Sequence, residues 1–128
     1  MKHDILADMF CIIKNTEKAG KLECVVDASN LAGDVLKLMQ KNKYIHKFEK
    51  VEDGKGGKFR VHLAGNINDC NIIKPRFSVQ KDEFIKWEKR FLPASGVGML
   101  IVSTSVGVME HETAKEKGVG GKLIGFVY

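Results

Sequence analysis

Four consecutive apolar residues, Met99-Leu100-Ile101-Val102, run directly into three hydroxyls, Ser103-Thr104-Ser105, and then Val106-Gly107. An apolar run of this length bounded by polar and turn residues reads as a buried strand with a polar end. Its counterpart is the apolar stretch Leu123 to Tyr128, which follows the glycine cluster Gly118-Val119-Gly120-Gly121 and Lys122. Between them, Glu110 to Lys117 reads as a short helix, with Gly118 where a C-terminal cap belongs. The C-terminal third must therefore fold around two strands whose polar ends bring hydroxyls and bare backbone close together. Such an end can meet phosphate, ribose and base edges. It makes a poor hydrolytic machine, because no base stands beside the hydroxyls in sequence.

The rest of the chain supplies an α+β frame. Ile5, Leu6, Met9, Phe10, Ile12 and Ile13 recur at helical spacing behind Asp4, a candidate N-cap, and Gly20 stops the helix. Cys11 falls within that helix and reads as a small buried hydrophobe. Leu22 to Val26 is strand-like, and Ser29 or Asn30 caps a second helix with Leu31, Val35, Leu36, Leu38 and Met39 on its buried side. Tyr44 to Val51 reads as a strand, Asp53-Gly54-Lys55-Gly56-Gly57 as a turn, and Phe59, Val61 and Leu63 alternate with Lys58, Arg60 and His62 as the returning strand. Gly65-Asn66-Ile67-Asn68-Asp69 marks a boundary. It divides the chain into residues 1–65, an N-terminal α/β domain, and residues 66–128, a mainly β domain with a short helix. In the second half, Asn71 to Val79 is one or two strands broken at Pro75. Lys81 to Arg90 is a short helix that packs through Phe84, Ile85 and Trp87.

Bulk properties narrow the function classes. With 128 residues, 44% hydrophobic and 29% charged, the chain suits one compact unit or two small lobes and is not disordered. Its net charge of +5 favours a polyanionic partner, although a merely basic protein has the same balance. The three cysteines are widely spaced, which argues against a disulfide scaffold or zinc knuckle and for reduced thiols in a cytoplasmic setting. No apolar run reaches the length of a membrane span, and the opening Met1-Lys2-His3-Asp4 lacks a secretory core, so no membrane partner is expected.

Enzyme fingerprints fail residue by residue. Gly57-Lys58 and Gly121-Lys122 lack both the leading glycine and the trailing hydroxyl of a phosphate loop, having Glu52 with Phe59 and Glu116 with Leu123 there. Gly96-Val97-Gly98 precedes a strand instead of following one. His46 and His62 are placed to face each other across the hairpin, without metal-type spacing. His111 beside Glu112 lacks a nucleophile elbow and a base-orienting third residue. No catalytic residue, metal, cofactor or small-molecule substrate is expected.

Three constellations remain. The stretch from Lys37 to Arg60 holds Lys37, Lys41, Lys43, Lys47, Lys50, Lys55, Lys58 and Arg60, which is either a phosphate-contacting surface or an ordinary solvated face. Lys74-Pro75-Arg76-Phe77 is either a nucleotide-stacking patch or a proline-broken edge strand with Phe77 in the core. Ser103, Thr104 and Ser105, with Gly107, Gly120 and Gly121, are either an RNA-reading surface or a strand end and turn. In the first reading the glycines let the backbone approach a nucleotide.

The run Ser-Thr-Ser-x-Gly-Val-Met from Ser103, Glu112 and Ala114 in the helix, Gly-x-Gly-Gly from Gly118 and the aromatic end closely resemble the ribosomal protein S-eight family. So do Asp4, Leu6-Ala7-Asp8-Met9, Ile12 and Asn15 at the start, and Gly33, Val35 and Leu36 leading to Tyr44-Ile45. Lys74-Pro75-Arg76-Phe77 and Glu88-Lys89-Arg90-Phe91-Leu92-Pro93 are similar to its archaeal and eukaryotic branch. The resemblance implies two tightly associated α/β domains and a ribosomal, RNA-binding role. The implied partners are the central domain of small-subunit ribosomal RNA, where such a protein helps assemble the platform, and neighbouring small-subunit proteins. By position, Ser103, Thr104, Ser105 and Gly107 are the signature contact, Gly120, Gly121 and Lys122 the adjoining loop, and Lys2, Asp4 and Asn15 a contact of the first domain. Lys55, Lys58, Lys74 and Arg76 complete the expected set. Glu110 and Lys122 depart from bacterial members, which carry Thr or Ser and Glu at those places. The alternatives are a protein-interaction scaffold with secondary RNA contact, or a messenger-binding repressor.

Overall fold

The computed structural model describes residues 5–52, 57–74, 76–94 and 96–128. The chain divides into two compact units, Met1–Asn68 and Asp69–Tyr128.

The first unit contains α1 (Ile5–Lys18), β1 (Glu23–Asp27), α2 (Asn30–Lys41), β2 (Ile45–Val51) and β3 (Lys58–Leu63). The strands form an antiparallel sheet in the order β1-β3-β2. Leu6, Met9, Phe10 and Ile13 are the buried stripe of α1, at spacings of three and four residues. Cys11 is exposed, against the expectation of a buried residue. At about 100° per residue it has already turned off the stripe that Phe10 occupies. Helix α2 is capped by Ser29, whose Oγ accepts the Ala32 N–H at 3.0 Å. It buries Ala32, Val35, Leu36 and Met39, while Leu31 and Leu38 are half-buried at the margin.

A bulge in β2 explains why its apolar residues break the two-residue period. Ile45 pairs with Leu63 and Lys47 with His62, so His46 is extra. The slip brings Ile45 and Phe48 onto one face, opposite Leu63 and Val61, and Phe48 meets Phe59 edge-on at 5.4 Å. It also separates the two histidines expected to face each other. His46 is exposed at the bulge, and His62 lies between Glu23 and Glu49, 3.4 Å from each. Most of the expected turn, residues 53–56, lies outside the described residues.

The second unit contains β4 (Cys70–Ile72), β5 (Ser78–Val79), α3 (Phe84–Phe91), β6 (Met99–Thr104), β7 (Gly107–Glu110), α4 (His111–Lys117) and β8 (Gly121–Val127). Its antiparallel sheet runs β4-β8-β6-β7, and β5 joins the same strand β8 further along. Leu100, Val102, Met109 and Leu123 pack with Phe84, Trp87, Leu92 and Ala114, which puts α3 and α4 on that face. Ile85, expected to pack, is 60% exposed, because Phe84 and Trp87 fix the buried side of α3. A bulge at Ile124 lets Leu123 and Ile124 both be buried. The ends of the unit meet: the Asp69 N–H donates to the Tyr128 carbonyl at 3.0 Å, and the Tyr128 N–H to that of Asp69 at 2.9 Å. Among the described residues, no helix is long and apolar enough to cross a membrane.

Candidate functional site

The hydroxyl triplet does not present a single row. Strand alternation sends Ser103 and Thr104 to opposite faces of β6. Ser103 pairs with Lys122 on β8 and with Val108 on β7, while Lys122 pairs with Ser78 on β5. Ser78, Lys122 and Ser103 are thus directly opposed neighbours on one face, and all three are exposed. An ammonium flanked by two hydroxyls offers several donors and two acceptors on a flat, wet surface. Ser105 is exposed in the turn that follows.

Thr104 is committed elsewhere. Its Oγ1 donates to the Gly107 carbonyl at 2.8 Å and accepts the Val106 N–H at 3.1 Å. It also lies 4.0 Å from the sulfur of Met109, a core residue. The hydroxyl therefore ties the β6–β7 hairpin together. Gly107 has φ of +130°, a conformation open to glycine, with nothing within 4 Å of a Cβ built there.

Gly120 and Gly121 are packed against the protein's own strands. A Cβ on Gly121 would run into the carbonyl of Ser103, and one on Gly120 into the carbonyl of Val79. The room these glycines provide is filled by the protein's own backbone. They hold β8 close to its neighbours, and so fix the spacing of Ser78, Lys122 and Ser103.

Phe77 is likewise turned inward. Its ring stacks on Trp87 at 4.7 Å, and the Arg90 guanidinium covers it at 5.1 Å. The stacking-patch alternative is corrected: the ring belongs to the core margin, while Lys74 and Arg76 remain exposed. Trp87, Phe91, Phe126 and Tyr128 continue the stack.

His111 opens α4 and is almost completely buried. Its Nδ1 accepts the Leu100 N–H at 3.0 Å. Its Nε2 lies 3.0 Å from Glu88 and 3.3 Å from Glu112, so the neutral ring carries its proton on Nε2. Burial pushes the His111 pKa below its ordinary value, outweighing the opposite pull of Glu88, Glu112 and Glu110 and adding to that of Lys115. Glu88, His111 and Glu112 bring three ligand atoms within 4.8 Å of one another. The Lys115 ammonium pairs with Glu88 and lies 3.8 Å from Glu112, placing a fixed cation beside the carboxylates. The cluster is a clasp of α3, α4 and β6, buried at His111 and Glu88 and open to solvent at Glu112. Glu110, before α4, makes no side-chain bond to the helix backbone and instead accepts the Thr113 hydroxyl at 2.9 Å.

In the first unit the basic stretch is interleaved with acids. Lys58 lies 2.5 Å from Asp27, Lys50 3.7 Å from Glu52 and Arg60 3.9 Å from Glu49. Asn15 is exposed on α1 and donates to the Cys11 sulfur at 3.6 Å. Lys2, Asp4 and Lys55 lie outside the described residues. Ser78 and β7 are features that the sequence alone does not single out. Alternation of Phe77 and Val79 inward around Ser78 was the available signal for the first.

A family model described as Ribosomal protein S8 matches residues 4–128. The chain is similar to the small ribosomal subunit protein uS8 of Methanocorpusculum labreanum, at 49% identity over 128 residues that cover 99% of this chain and 98% of the relative. It is also similar to the protein of that name from Methanosphaerula palustris, at 47% identity with the same coverage.

Proposed function

Because this chain belongs to the ribosomal protein S8 family, a structural and non-enzymatic one, we propose that it binds the central domain of small-subunit ribosomal RNA and helps assemble the platform. It acts as a constituent of the small ribosomal subunit, beside ribosomal RNA and other ribosomal proteins. The observation that carries the RNA reading is the exposed row Ser78, Lys122 and Ser103, continued by Ser105 in the turn. Hydroxyls that donate and accept suit base edges and 2′-hydroxyls, and the lysine suits a phosphate. The clasp under β6 and the close backbone contacts at Gly120 and Gly121 make the row rigid before RNA arrives, which lowers the ordering cost of binding.

Ser105→Ala is expected to lose about 1–3 kcal/mol of affinity for a central-domain hairpin, with the melting curve unchanged. Unchanged affinity would remove Ser105 from the interface. Thr104→Val is expected to loosen the hairpin, so its effect shows in stability as well as in binding.

Salt dependence separates the cations. Arg76→Ala is expected to lower the slope of log affinity against log salt by somewhat under one unit, as one lost phosphate contact requires. Lys58→Ala is expected to change it less, because Asp27 already neutralises that ammonium. Equal slopes for the Arg76 variant and the parent would place Arg76 off the RNA.

A further inference from the structure

Among the described residues one edge of the first sheet has no neighbouring strand, and its chemistry differs from that of the basic surfaces. Among the described strands β1 pairs with β3 and with no other. The Leu63 N–H donates to the Leu22 carbonyl, and the Ala28 N–H to the Gly57 carbonyl. Hydrogen-bonded pairs alternate along an antiparallel ladder, so Leu22, Cys24, Val26 and Ala28 turn their backbone groups towards β3. Glu23, Val25 and Asp27 turn theirs outward, with no partner among the described residues.

A groove of about 260 Å³ follows this edge, lined by Asp8, Met9, Cys11 and Ile12 of α1 and by Val25, Asp27 and Lys58. Val26 is buried and Val25 exposed, so their side chains occupy opposite faces of β1. A groove shared by α1 and the Val25 side of the strand must run past the open backbone edge between them. Its walls are apolar at Ile12, 37% exposed, and at Val25, 47% exposed. Its net charge is acidic, since Lys58 is held against Asp27 and Asp8 has no basic partner among the described residues.

We propose that the groove along β1 takes an extended, basic protein segment that joins the sheet as a fourth strand. Outward backbone groups supply the ladder, Ile12 and Val25 seat an apolar side chain, and Asp8 receives a lysine or arginine. An RNA strand fits poorly, because its phosphates would face the Asp8 carboxylate while the groove's lysine, Lys58, is already held by Asp27. Asn15, implied as an RNA contact by resemblance, is one helical turn further along α1 and is bonded to Cys11. RNA is therefore the occupant the test must distinguish.

The test is a nuclear magnetic resonance titration of the full chain with an octapeptide of alternating lysine and valine. At a few millimolar peptide, the affinity range of a short weak ligand, the amides of Glu23, Val25 and Asp27 and of Asp8, Cys11 and Ile12 are expected to shift. The same peptide N-methylated at alternate bonds keeps its charge and side chains but loses ladder donors, and is expected to leave those amides in place. A glutamate–valine peptide, or Asp8→Lys in the protein, is expected to bind at least about fivefold more weakly. Asp8 is exposed, so its replacement leaves the core untouched. Absence of shifts with the parent peptide overturns the docking, and shifts that survive N-methylation overturn strand addition. An oligouridylate that moves the same amides assigns the groove to nucleic acid instead.

Discussion

Gly121→Ala is expected to destabilise the protein by about 3 kcal/mol, at the upper end of what one added methyl costs in a packed interior. The new Cβ would meet the Ser103 carbonyl and the Val102 side chain. The first of these obstacles is backbone, which cannot swing aside like the tip of a lysine. Relief requires β6 and β8 to separate, and β8 also holds β4 and β5. For a chain of this size the loss corresponds to roughly 10 °C in melting temperature. Lys122→Ala, at the next residue but exposed, is expected to stay within about 0.5 kcal/mol of the parent. Because Gly121 fixes the distance between Lys122 and Ser103, its variant is expected to lose RNA affinity even at temperatures where it remains folded. A melting temperature within a degree or two of the parent would falsify the close-approach account.

His111→Leu is expected to cost about 3 kcal/mol at neutral pH. Leucine fills much of the ring's volume but leaves the buried Leu100 N–H without its acceptor and takes the Nε2–H away from Glu88. His111→Gln is expected to recover part of the loss, since an amide can still accept a hydrogen bond.

The pH dependence carries a sign that packing alone does not. Burial holds the folded histidine below its ordinary pKa, so the unfolded chain takes up a proton first as the pH falls. The stability conferred by the neutral ring is fully present above about pH 6.5, the unfolded value. It declines below that until the folded ring itself protonates beside Glu88, Glu112, Glu110 and Lys115. Urea unfolding at pH 7.5 and 5.5 is expected to show the gap between parent and His111→Leu narrowing, by no more than about 1.4 kcal/mol for one proton. A gap that widens on acidification would mean that the carboxylates hold the ring charged.

Much of this fold was legible because its elements obey one period each. The stripe Leu6, Met9, Phe10 and Ile13 and the alternation Phe59, Val61 and Leu63 needed no tertiary information. What escaped depended on partners distant in sequence. Strand β7 is four residues long and follows Ser105-Val106, a turn without the usual Asn-Gly or Gly signal, so β6 appeared to end where it in fact turns back. The His46 bulge is set by the register of β2 against β3, which no single strand encodes. At the candidate site, Ser103 and Lys122 were legible as residue types. Their shared row with Ser78 was not, because it is created by β5 and β6 flanking β8. The two glycines were noticed for the right reason, close approach, but the approaching group is the protein's own carbonyl.

The central position of β8 has a consequence for the order of synthesis. Strands β4 and β5 emerge from the translating ribosome early in the second unit, yet β8, which pairs with both, follows β6, β7 and α4 in the sequence. Until β8 emerges, the one described strand beside β6 is β7, and the two make a hairpin too small to be stable alone. The first unit, whose strands pair among themselves, can fold while the second is still being made. The surface formed by Ser78, Lys122 and Ser103 comes into being in a single late step, when β8 slides between segments that were made before it.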